Sequence, residues 1–291
     1  MQVVTRIDDL RAQVRGARSS GKTIGFVPTM GALHEGHCSL LRRAKEENEC
    51  VVMSLFVNPT QFTEINDYEK YPRNPERDRA IAAQERVDFI FEPGMSEMYA
   101  PSFDTVVVAR GLSDKLEGAS RPGHFQGVAT VVAKLLNIAQ ADRAYFGLKD
   151  YQQLQIVRRM TADLNIPTKI VACPIVREPD GLAMSSRNVR LTAEQRRAAR
   201  VLSQALSNAQ EIADTGIHDA YQIRAYMAQS IEVEPLAKLD YAVIVDPDEL
   251  KEVDTIDGAS GAIALVAATF GAVRLIDNRM LVPAPGLEVR R

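Results

Sequence analysis

Two histidines, His34 and His37, stand three residues apart in residues 28–37, whose sequence is PTMGALHEGH. One helical turn separates such positions, so both imidazoles would lie on the same side of a helix start. Gly36, between them, permits close approach of the backbone to a ligand. Imidazole N–H groups can stabilise the charge that develops on phosphate oxygens as pyrophosphate departs. The pair therefore indicates a binding site for a nucleoside triphosphate.

A zinc site, with Cys38 as a third ligand, is the alternative explanation of this pair. A structural zinc ion takes four ligands, mostly Cys and His side chains. The remaining histidines, His124 and His218, are remote in the sequence, and no further Cys or His stands near the pair. The spacing disfavours a metal centre, and we expect no metal ion bound directly by the protein.

A second candidate for phosphate binding is the segment 183–187, AMSSR, which follows a turn-rich REPDG sequence. The hydroxyls of Ser185 and Ser186 and the guanidinium of Arg187, on a mobile loop, can close over phosphate oxygens. Taken alone, these residues fit a solvated loop better. Their position directly after the last predicted strand of the first domain favours the phosphate-binding interpretation.

Three further stretches place polar side chains at predicted strand ends or helix starts: 56–62 (FVNPTQF), 121–128 (RPGHFQGV) and 145–153 (YFGLKDYQQ). Asn58 and Gln61 offer neutral hydrogen bonds. Lys149 supplies a cation for phosphate, and Gln153 follows it by one helical turn. All of these side chains could converge on one crevice.

Alternating apolar and helical patterns predict the elements that must position these residues. Strands are predicted at 23–27, 50–57, 87–91, 105–109, 144–146 and 168–176. Helices are predicted at 1–14, 39–48, 127–139 and 150–164. Nearly continuous apolar runs separated by helices are typical of buried parallel strands. Because ligands bind at the carboxyl ends of the strands in such sheets, the motifs should meet there.

The pattern changes near residue 177, where we place a domain boundary. Residues 1–176 are predicted to form a Rossmann-like α/β domain, and residues 177–291 a smaller α+β domain. In the second part, helices are expected from Thr192 to about Asp214 and at 218–231. Three closely spaced strands, at 240–245, 262–267 and 272–276, predict an antiparallel sheet.

Bulk composition excludes several other classes of protein. The net charge is −3 and no block of Lys and Arg stands out, so a nucleic-acid partner is not expected. No apolar run reaches the roughly 18–20 residues of a membrane span, and the N-terminus lacks the apolar core of a signal peptide. Three widely spaced cysteines imply no disulfide framework, and Cys50 and Cys173 are expected to be buried. These features predict a cytoplasmic protein.

Together, the motifs resemble a known family. The histidine pair resembles the His-x-Gly-His signature of the nucleotidyltransferase superfamily, and AMSSR its Lys-Met-Ser-Lys-Ser loop. All five segments, in the order in which they follow each other along the chain, resemble the pantothenate synthetases, or pantoate–β-alanine ligases. The resemblance covers essentially the whole chain. Leu148 departs from the pattern, which has a polar Glu or Gln at that position.

The resemblance implies a reaction and roles for individual residues. ATP and (R)-pantoate would form pantoyl adenylate and pyrophosphate, and β-alanine would then displace AMP. His37, His34, Lys149 and Arg187 would be catalytic, and Gln61 and Gln153 would bind pantoate, with Gln61 also near β-alanine. The residues expected around ATP are Met30, Gly31, Ala32, Leu33, His34, Glu35, Gly36, His37, Gly147, Leu148, Lys149, Asp150, Val176, Met184, Ser185, Ser186 and Arg187.

Other expectations concern the metal ion, supporting residues and assembly. Magnesium would be held mainly by the phosphates of ATP. Asp78 could assist through water, although its charged surroundings fit a solvated helix face better. Arg121 and His124 are either direct site residues or braces for a helix. The resemblance also implies a homodimer.

Two other functions remain open at this stage. A related nucleotidyltransferase, which leaves an AMP or CMP group on a small phosphorylated product, shares the histidine and MSSR signatures but does not explain the Gln61 and Gln153 pair. A catalytically silent nucleotide-binding module is the other. The presence of His34, His37 and Lys149 disfavours the silent module.

Overall fold

The computed structural model of the chain describes residues 1–282, and these divide between Val176 and Arg177 into two compact units. The first unit is built on a six-stranded parallel sheet with strand order β1-β4-β3-β2-β5-β6. The strands are β1 Gln2–Val4, β2 Ile24–Thr29, β3 Cys50–Leu55, β4 Phe89–Phe91, β5 Arg143–Gly147 and β6 Lys169–Cys173.

The helices of the first unit connect these parallel strands. They are α1 Ile7–Ser19, α2 Glu35–Glu47, α3 Ile65–Glu69, α4 Pro75–Gln84, α5 Met95–Met98, α6 Glu117–Ser120, α7 His124–Ala139 and α8 Tyr151–Asp163. Their ends follow local chemistry. The side chain of Asn74 caps α4, and Pro75 occupies its first position, where the missing N–H costs nothing.

The strand order creates a crevice at the centre of the sheet. From β2 the chain proceeds outward to β3 on one side, whereas β5 lies on the other side of β2. The carboxyl ends of β2 and β5 therefore flank the point where the strand order reverses, which is the usual ligand position in open α/β sheets. Every residue of β3 is buried, as expected for a strand covered on both faces.

The second unit contains a three-stranded antiparallel sheet. Its strands are β7 Ala237–Val245, β8 Ala262–Phe270 and β9 Val273–Leu281, with β8 in the middle. Its helices are α9 Ala193–Ala199, α10 Val201–Asp214 and α11 Ala220–Glu232. Leu206, Ile223 and Val266 belong to one apolar core that joins the helices to the sheet. The two sheets confirm the predicted fold class.

Three sequence predictions of secondary structure outside the histidine loop were wrong. The N-terminal segment begins with β1 before α1, because the β-branched Val3 and Val4 pair with β4. The predicted long helix after Thr192 is interrupted at Arg200, which keeps near-helical torsions (φ −62°, ψ −20°). Residues 105–109 form no strand with any described residue, because tertiary contacts supply no neighbouring strand there.

Within residues 1–282, none of the helices is both long enough and apolar enough to cross a membrane.

The packing of α7 predicts a specific sensitivity at Gly127. A Cβ atom there would lie 2.3 Å from the carbonyl oxygen of Thr60 and 2.6 Å from the amide nitrogen of Gln61. Gly127→Ala should therefore displace the backbone that carries Gln61 and destabilise the fold by about 1–3 kcal/mol. The matched control is Gly16→Ala in α1, where nothing lies within 4 Å; it should stabilise by about 0.5–1 kcal/mol. Chemical denaturation of both variants measures this, and equal stabilities would contradict the close packing.

Candidate active site

The two histidines lie at the start of α2, in the loop that leaves β2. His34 is the N-cap, with extended torsions (φ −139°, ψ 176°), and Glu35 is the first helical residue. The helix thus begins four residues before the predicted start at 39, and both histidines belong to its first turn. The predicted start was wrong because histidine is not among the usual N-cap residues, Ser, Thr, Asp and Asn.

The side chain of each histidine accepts a hydrogen bond from a backbone amide of the same turn. The amide of Gly36 donates to Nδ1 of His34 (3.1 Å), and the amide of His34 donates to Nδ1 of His37 (3.3 Å). A nitrogen that accepts an N–H carries no hydrogen, so the neutral rings bear theirs on Nε2. The ring centroids are 4.1 Å apart. The cap therefore presents two neighbouring Nε2–H donors.

Burial keeps His37 neutral. Desolvation is the largest cause that lowers its pKa, to about 3, and the neighbouring His34 and Lys149 lower it further, whereas Asp150 raises it. At neutral pH the ring is therefore an uncharged hydrogen-bond donor rather than a cation.

Asp78, on α4, holds the loop that precedes the histidines. Its Oδ2 accepts the amide of Ala32 (2.9 Å) and its Oδ1 accepts the amide of Leu33 (2.8 Å). Asp78 is only 1% exposed, so the expectation of a solvated helix face was wrong. Arg77 adds a bond from its Nη1 to the carbonyl of Leu33 (3.2 Å). A carboxylate buried in this way is stable only because backbone donors satisfy both oxygens.

The same loop needs glycine at position 31. Gly31 has φ +85°, and a Cβ there would lie 2.8 Å from Cδ1 of Leu55 and 2.9 Å from Oδ2 of Asp78. The next residue, Ala32, also has positive φ (51°). In this turn the N–H groups of Ala32 and Leu33 both point to the Asp78 carboxylate.

A cavity of about 180 Å³ opens at the carboxyl ends of β2 and β5. Six of the predicted site residues line it: Met30, His37, Gln61, Gly147, Asp150 and Gln153. One wall is an apolar stripe on α7 formed by Val128, Val131, Val132 and Leu135, and Tyr71 also contributes. The sequence analysis missed these five residues. The stripe has the i, i+3, i+4, i+7 spacing of a helix face, which by itself indicates core packing rather than a site.

The orientation of the Gln61 amide is fixed by a chain of hydrogen bonds. Nδ2 of Asn58 donates to the carbonyl of Gly127 (3.2 Å), which can only accept, and also to Oε1 of Gln61 (3.1 Å). The NH₂ group of Gln61 therefore lies on the other side, where it contacts Sδ of Met30 (3.1 Å) at the cavity wall. Tyr99 completes the chain by donating to Oδ1 of Asn58 (2.8 Å).

Arg121 and His124 brace the turn that carries Gln61. Nδ1 of His124 donates to the carbonyl of Gln61 (2.7 Å), and its Nε2 faces Nη1 of Arg121 (3.1 Å). Burial, followed by the nearby Arg121, lowers the pKa of His124 to about 4, so this ring is also neutral. Neither residue lines the cavity, and both contact the backbone of Gln61.

The residues after β5 place charge beside the cavity. Nζ of Lys149 forms an ion pair with Oδ1 of Asp150 (3.3 Å), and only 20% of the Lys149 side chain is exposed. Leu148 is half-buried in the short 3₁₀ turn that carries both residues. Gln153 lines the cavity one turn into α8, and its amide has no hydrogen-bond partner among residues 1–282.

The MSSR segment lies in the second unit, within a loop that is held by hydrogen bonds to other residues of the same unit. Nδ2 of Asn188 donates to the carbonyl of Ala183 (3.1 Å) and to Glu178 (3.1 Å), and Arg196 donates to the same carboxylate (2.8 Å). Met184, Ser185, Ser186 and Arg187 are all partly buried there. Val176 ends the first unit and is not part of the cavity lining.

The remaining predicted residues, Gly31, Ala32, Leu33, His34, Glu35 and Gly36, form the loop and first helical turn that lead to His37. No cluster of three or more His, Cys, Asp or Glu side chains suited to a metal ion occurs in the described part of the chain.

A known protein family matches almost the whole chain. The model of the family described as pantoate–β-alanine ligase matches residues 2–280. The chain belongs to the pantoate–β-alanine ligase family. This confirms the resemblance drawn from the five motifs.

Relatives of the ligase align over nearly their whole length. The pantothenate synthetase of Pelotomaculum thermopropionicum is 52% identical over 97% of this chain and 99% of its own, and that of Thermotoga neapolitana is 51% identical over 97% and 100%. The crystal structure of pantothenate synthetase from Thermus thermophilus is 46% identical, with a TM-score of 0.92 over 97% of this chain and 100% of its own. A Francisella tularensis pantoate–β-alanine ligase, complexed with β-γ ATP and β-alanine, is 34% identical, with a TM-score of 0.78 over 98% and 100%.

The desolvation of His37 in this ligase predicts its titration. Because the pKa is about 3 in the folded enzyme and 6.5 for an ordinary histidine, the unfolded chain binds a proton first as pH falls. Stability should therefore be highest above about pH 6.5 and decline as pH falls towards 3. By NMR, the ring should stay neutral, with hydrogen on Nε2, from about pH 8 to about pH 5. His37→Gln identifies the resonance, and a midpoint near 6.5 would contradict this environment.

The hydrogen bonds between Asp78 and the loop predict that the Asp78→Asn variant loses activity. The amide retains one acceptor but turns an NH₂ group towards a backbone N–H, which should displace the loop and both Nε2–H donors. We expect pyrophosphate release from ATP to slow by about ten- to hundredfold, even at saturating substrate. Glu76→Gln, an exposed residue on the same helix, is the matched control and should be unaffected. Single-turnover kinetics measure the rate, and thermal unfolding checks the fold; a wild-type rate in Asp78→Asn would refute the positioning role.

Proposed function

We propose that the enzyme joins (R)-pantoate to β-alanine through a pantoyl-adenylate intermediate, with release of AMP and pyrophosphate. The observation that carries this proposal is the composition of the cavity. It combines the amides of Gln61 and Gln153, the neutral ring of His37 and the apolar stripe of α7. Family membership and the ATP- and β-alanine-bound Francisella ligase support the same assignment.

Pantoate matches this lining group by group. Its central carbon carries two methyl groups, which suit the stripe around Val131 and Val132. Its hydroxyls need neutral hydrogen-bond partners, which the amides of Gln61 and Gln153 provide without binding the carboxylate as a cation would. The carboxylate therefore stays available as a nucleophile.

In the first step, a carboxylate oxygen of pantoate attacks the α-phosphorus of ATP, and the bond to the bridging oxygen of pyrophosphate breaks. Negative charge then grows on the leaving phosphates. The Nε2–H groups of His34 and His37 and the ammonium of Lys149 are proposed to stabilise that charge. Because His37 is neutral, its role is to donate a hydrogen bond rather than to supply a full positive charge.

In the second step, the amine of β-alanine attacks the acyl carbon of the adenylate. The new C–N bond forms as the acyl–phosphate bond breaks, AMP leaves with the bonding electrons, and the amine loses a proton. Gln61 is proposed to contact β-alanine as well as pantoate, because its NH₂ group is held at the cavity wall.

The remaining ATP contacts are proposed from the family resemblance. Met30, Gly147, Asp150, Val176 and Met184 would frame the nucleotide, and Ser185, Ser186 and Arg187 would contact phosphates. At position 148, the backbone rather than the Leu148 side chain would contact ATP.

Magnesium is proposed to arrive with ATP and to be held by its phosphates. Asp78 is not assigned to the metal ion, because both its oxygens accept backbone amides. A homodimer in the cytoplasm is proposed on the resemblance and the composition of the chain.

The test is the dependence of AMP release on each substrate. With ATP, magnesium and pantoate, the enzyme should release pyrophosphate, and AMP should follow only when β-alanine is added. His37→Ala should slow pyrophosphate release by about 10²–10³ because one donor to the developing charge is lost. Mass spectrometry identifies the product: pantothenate plus free AMP supports the ligase, whereas a product that retains the nucleotide indicates a nucleotidyltransferase. The proposed function would be overturned if addition of β-alanine did not increase the release of AMP. A wild-type rate of pyrophosphate release in His37→Ala would overturn the role of His37.

A further inference from the structure

Residues 177–183 (REPDGLA), here called the loop base, lead from the start of the second unit to the MSSR segment. They form a narrow antiparallel turn. Arg177 and Ala183 face each other in an isolated bridge, and the amide of Glu178 donates to the carbonyl of Leu182 (2.8 Å). The MSSR segment therefore continues from a backbone that has a defined conformation.

A buried carboxylate holds this loop base from a distant part of the sequence. Nη1 of Arg177 donates to Oδ2 of Asp277 on β9 (2.6 Å), and Nη2 donates to Oδ1 (3.0 Å). Nη1 also donates to the carbonyl of Gly181 (3.1 Å), and Oδ1 of Asp277 accepts the amide of Asn278 (2.8 Å). One guanidinium group thus joins β9 to the start and to the tip of the loop base.

The surroundings of Asp277 are those of a core residue. Side chains alternate along a strand, so Asp277 shares its face of β9 with Val273 and Leu275, which belong to the apolar core of the second unit. Leu182 of the loop base belongs to the same core. Only 2% of the Asp277 side chain is exposed, against 29% for Arg177. The ion pair is therefore built into the packed interior.

Stability alone does not account for such a pair. Desolvation of two charges is costly, and apolar residues of similar volume often stabilise a fold equally well or better. A pair with two parallel N–H···O bonds supplies direction instead, because it fixes both the plane and the position of the guanidinium. The bonds of Arg177 to Asp277 and to Gly181 therefore fix the loop base on the sheet.

The loop base also holds the far end of the MSSR segment. Nδ2 of Asn188, the next residue, donates to the carbonyl of Ala183 and to Oε1 of Glu178 (both 3.1 Å). Arg196 of α9 donates to Oε2 of the same carboxylate (2.8 Å). Both ends of the MSSR segment are attached to the loop base, so a displacement of the loop base would move the segment with it.

We propose that Asp277 is a positioning residue for adenylate formation and acts through Arg177 on the MSSR segment. This role rests on the proposed function, in which Ser185, Ser186 and Arg187 contact the phosphates of ATP. Both oxygens of Asp277 are occupied by donors of the second unit, so it is assigned no contact with a substrate. Misplacement of binding groups by about 1 Å can lower a rate about a hundredfold.

Substitution of either partner tests the pair. Asp277→Asn keeps the volume but turns an NH₂ group towards a guanidinium that can only donate. Pyrophosphate release from ATP and pantoate should slow by about ten- to hundredfold in single-turnover kinetics. Arg177→Lys keeps the charge without the forked geometry and should lose less. The matched control is Asp240→Asn, which breaks an exposed pair with Arg274 on the same sheet (3.0 Å) and should keep the wild-type rate.

Separate measurement of the two reaction steps distinguishes positioning from general damage to the fold. In a double-mixing experiment, the enzyme first reacts with ATP and pantoate, and β-alanine is added afterwards. Asp277→Asn should slow the first step, whereas the second should stay within about twofold of wild type because pyrophosphate has already left. Arg187→Ala should show the same difference between the steps. Equal slowing of both steps in Asp277→Asn would overturn the positioning role.

An apolar double variant separates positioning from stability. Arg177→Met together with Asp277→Leu removes both charges at similar volume, so its unfolding temperature should equal or exceed that of the wild type. Pyrophosphate release should nevertheless remain slow, because the direction given by the pair is lost. A stable double variant with a wild-type rate of pyrophosphate release would refute the inference.

The same measurements distinguish failure of this inference from failure of the proposed function. If the wild-type enzyme released no pyrophosphate from ATP and pantoate, the proposed function would fail, and the role of Asp277 with it. A wild-type first step in Arg187→Ala would remove the MSSR segment as the means by which Asp277 acts. A wild-type first step in Asp277→Asn alone would overturn only the positioning role.

Discussion

The rest of the site depends on two hydrogen bonds, which the buried carboxylate of Asp78 accepts from two backbone amides. Asp78 is buried, and burial of a carboxylate is costly unless donors satisfy it. The amides of Ala32 and Leu33 provide those donors, and in doing so they hold the loop in the positive-φ conformation that Gly31 permits. That conformation delivers His34 to the N-cap of α2. The position of the two Nε2–H donors thus follows from an interaction with a side chain on a different helix.

The half-buried His37 and the buried His124 then have different roles, although the same physical effect lowers the pKa of both. Desolvation keeps both His37 and His124 neutral at ordinary pH. Their partners decide which nitrogen holds the hydrogen. A backbone amide donates to Nδ1 of His37, so its hydrogen is on Nε2 and is available to a ligand. A backbone carbonyl accepts from Nδ1 of His124, so that ring braces the turn of Gln61. Burial therefore supplies the neutral ring, and the backbone selects its role.

The cavity combines a shape made by packing with polar groups of fixed orientation. Gly127 lets α7 approach the turn of Gln61, and the carbonyl of Gly127 orients Asn58, which in turn orients the Gln61 amide. The valines of α7 that line the cavity lie on the same helix. One helix therefore sets both the apolar wall of the cavity and the direction of the Gln61 amide, and these two features underlie the proposed recognition of pantoate.

The sequence by itself determined the α/β class, the positions of most strands and the motifs proposed to bind a nucleotide, because periodicity and motif spacing are properties of neighbouring residues. It also identified the family. Only the tertiary structure decided the partners of residues distant in the chain. Asp78 has the local sequence of a solvated residue until packing brings it to Leu33, 45 positions away. The α7 stripe has the pattern of a core face, but a cavity opens beside it. Residues 105–109 have the pattern of a strand, but they pair with no strand among the described residues. In each case the local pattern was real, but the surface that it faces was set by long-range packing.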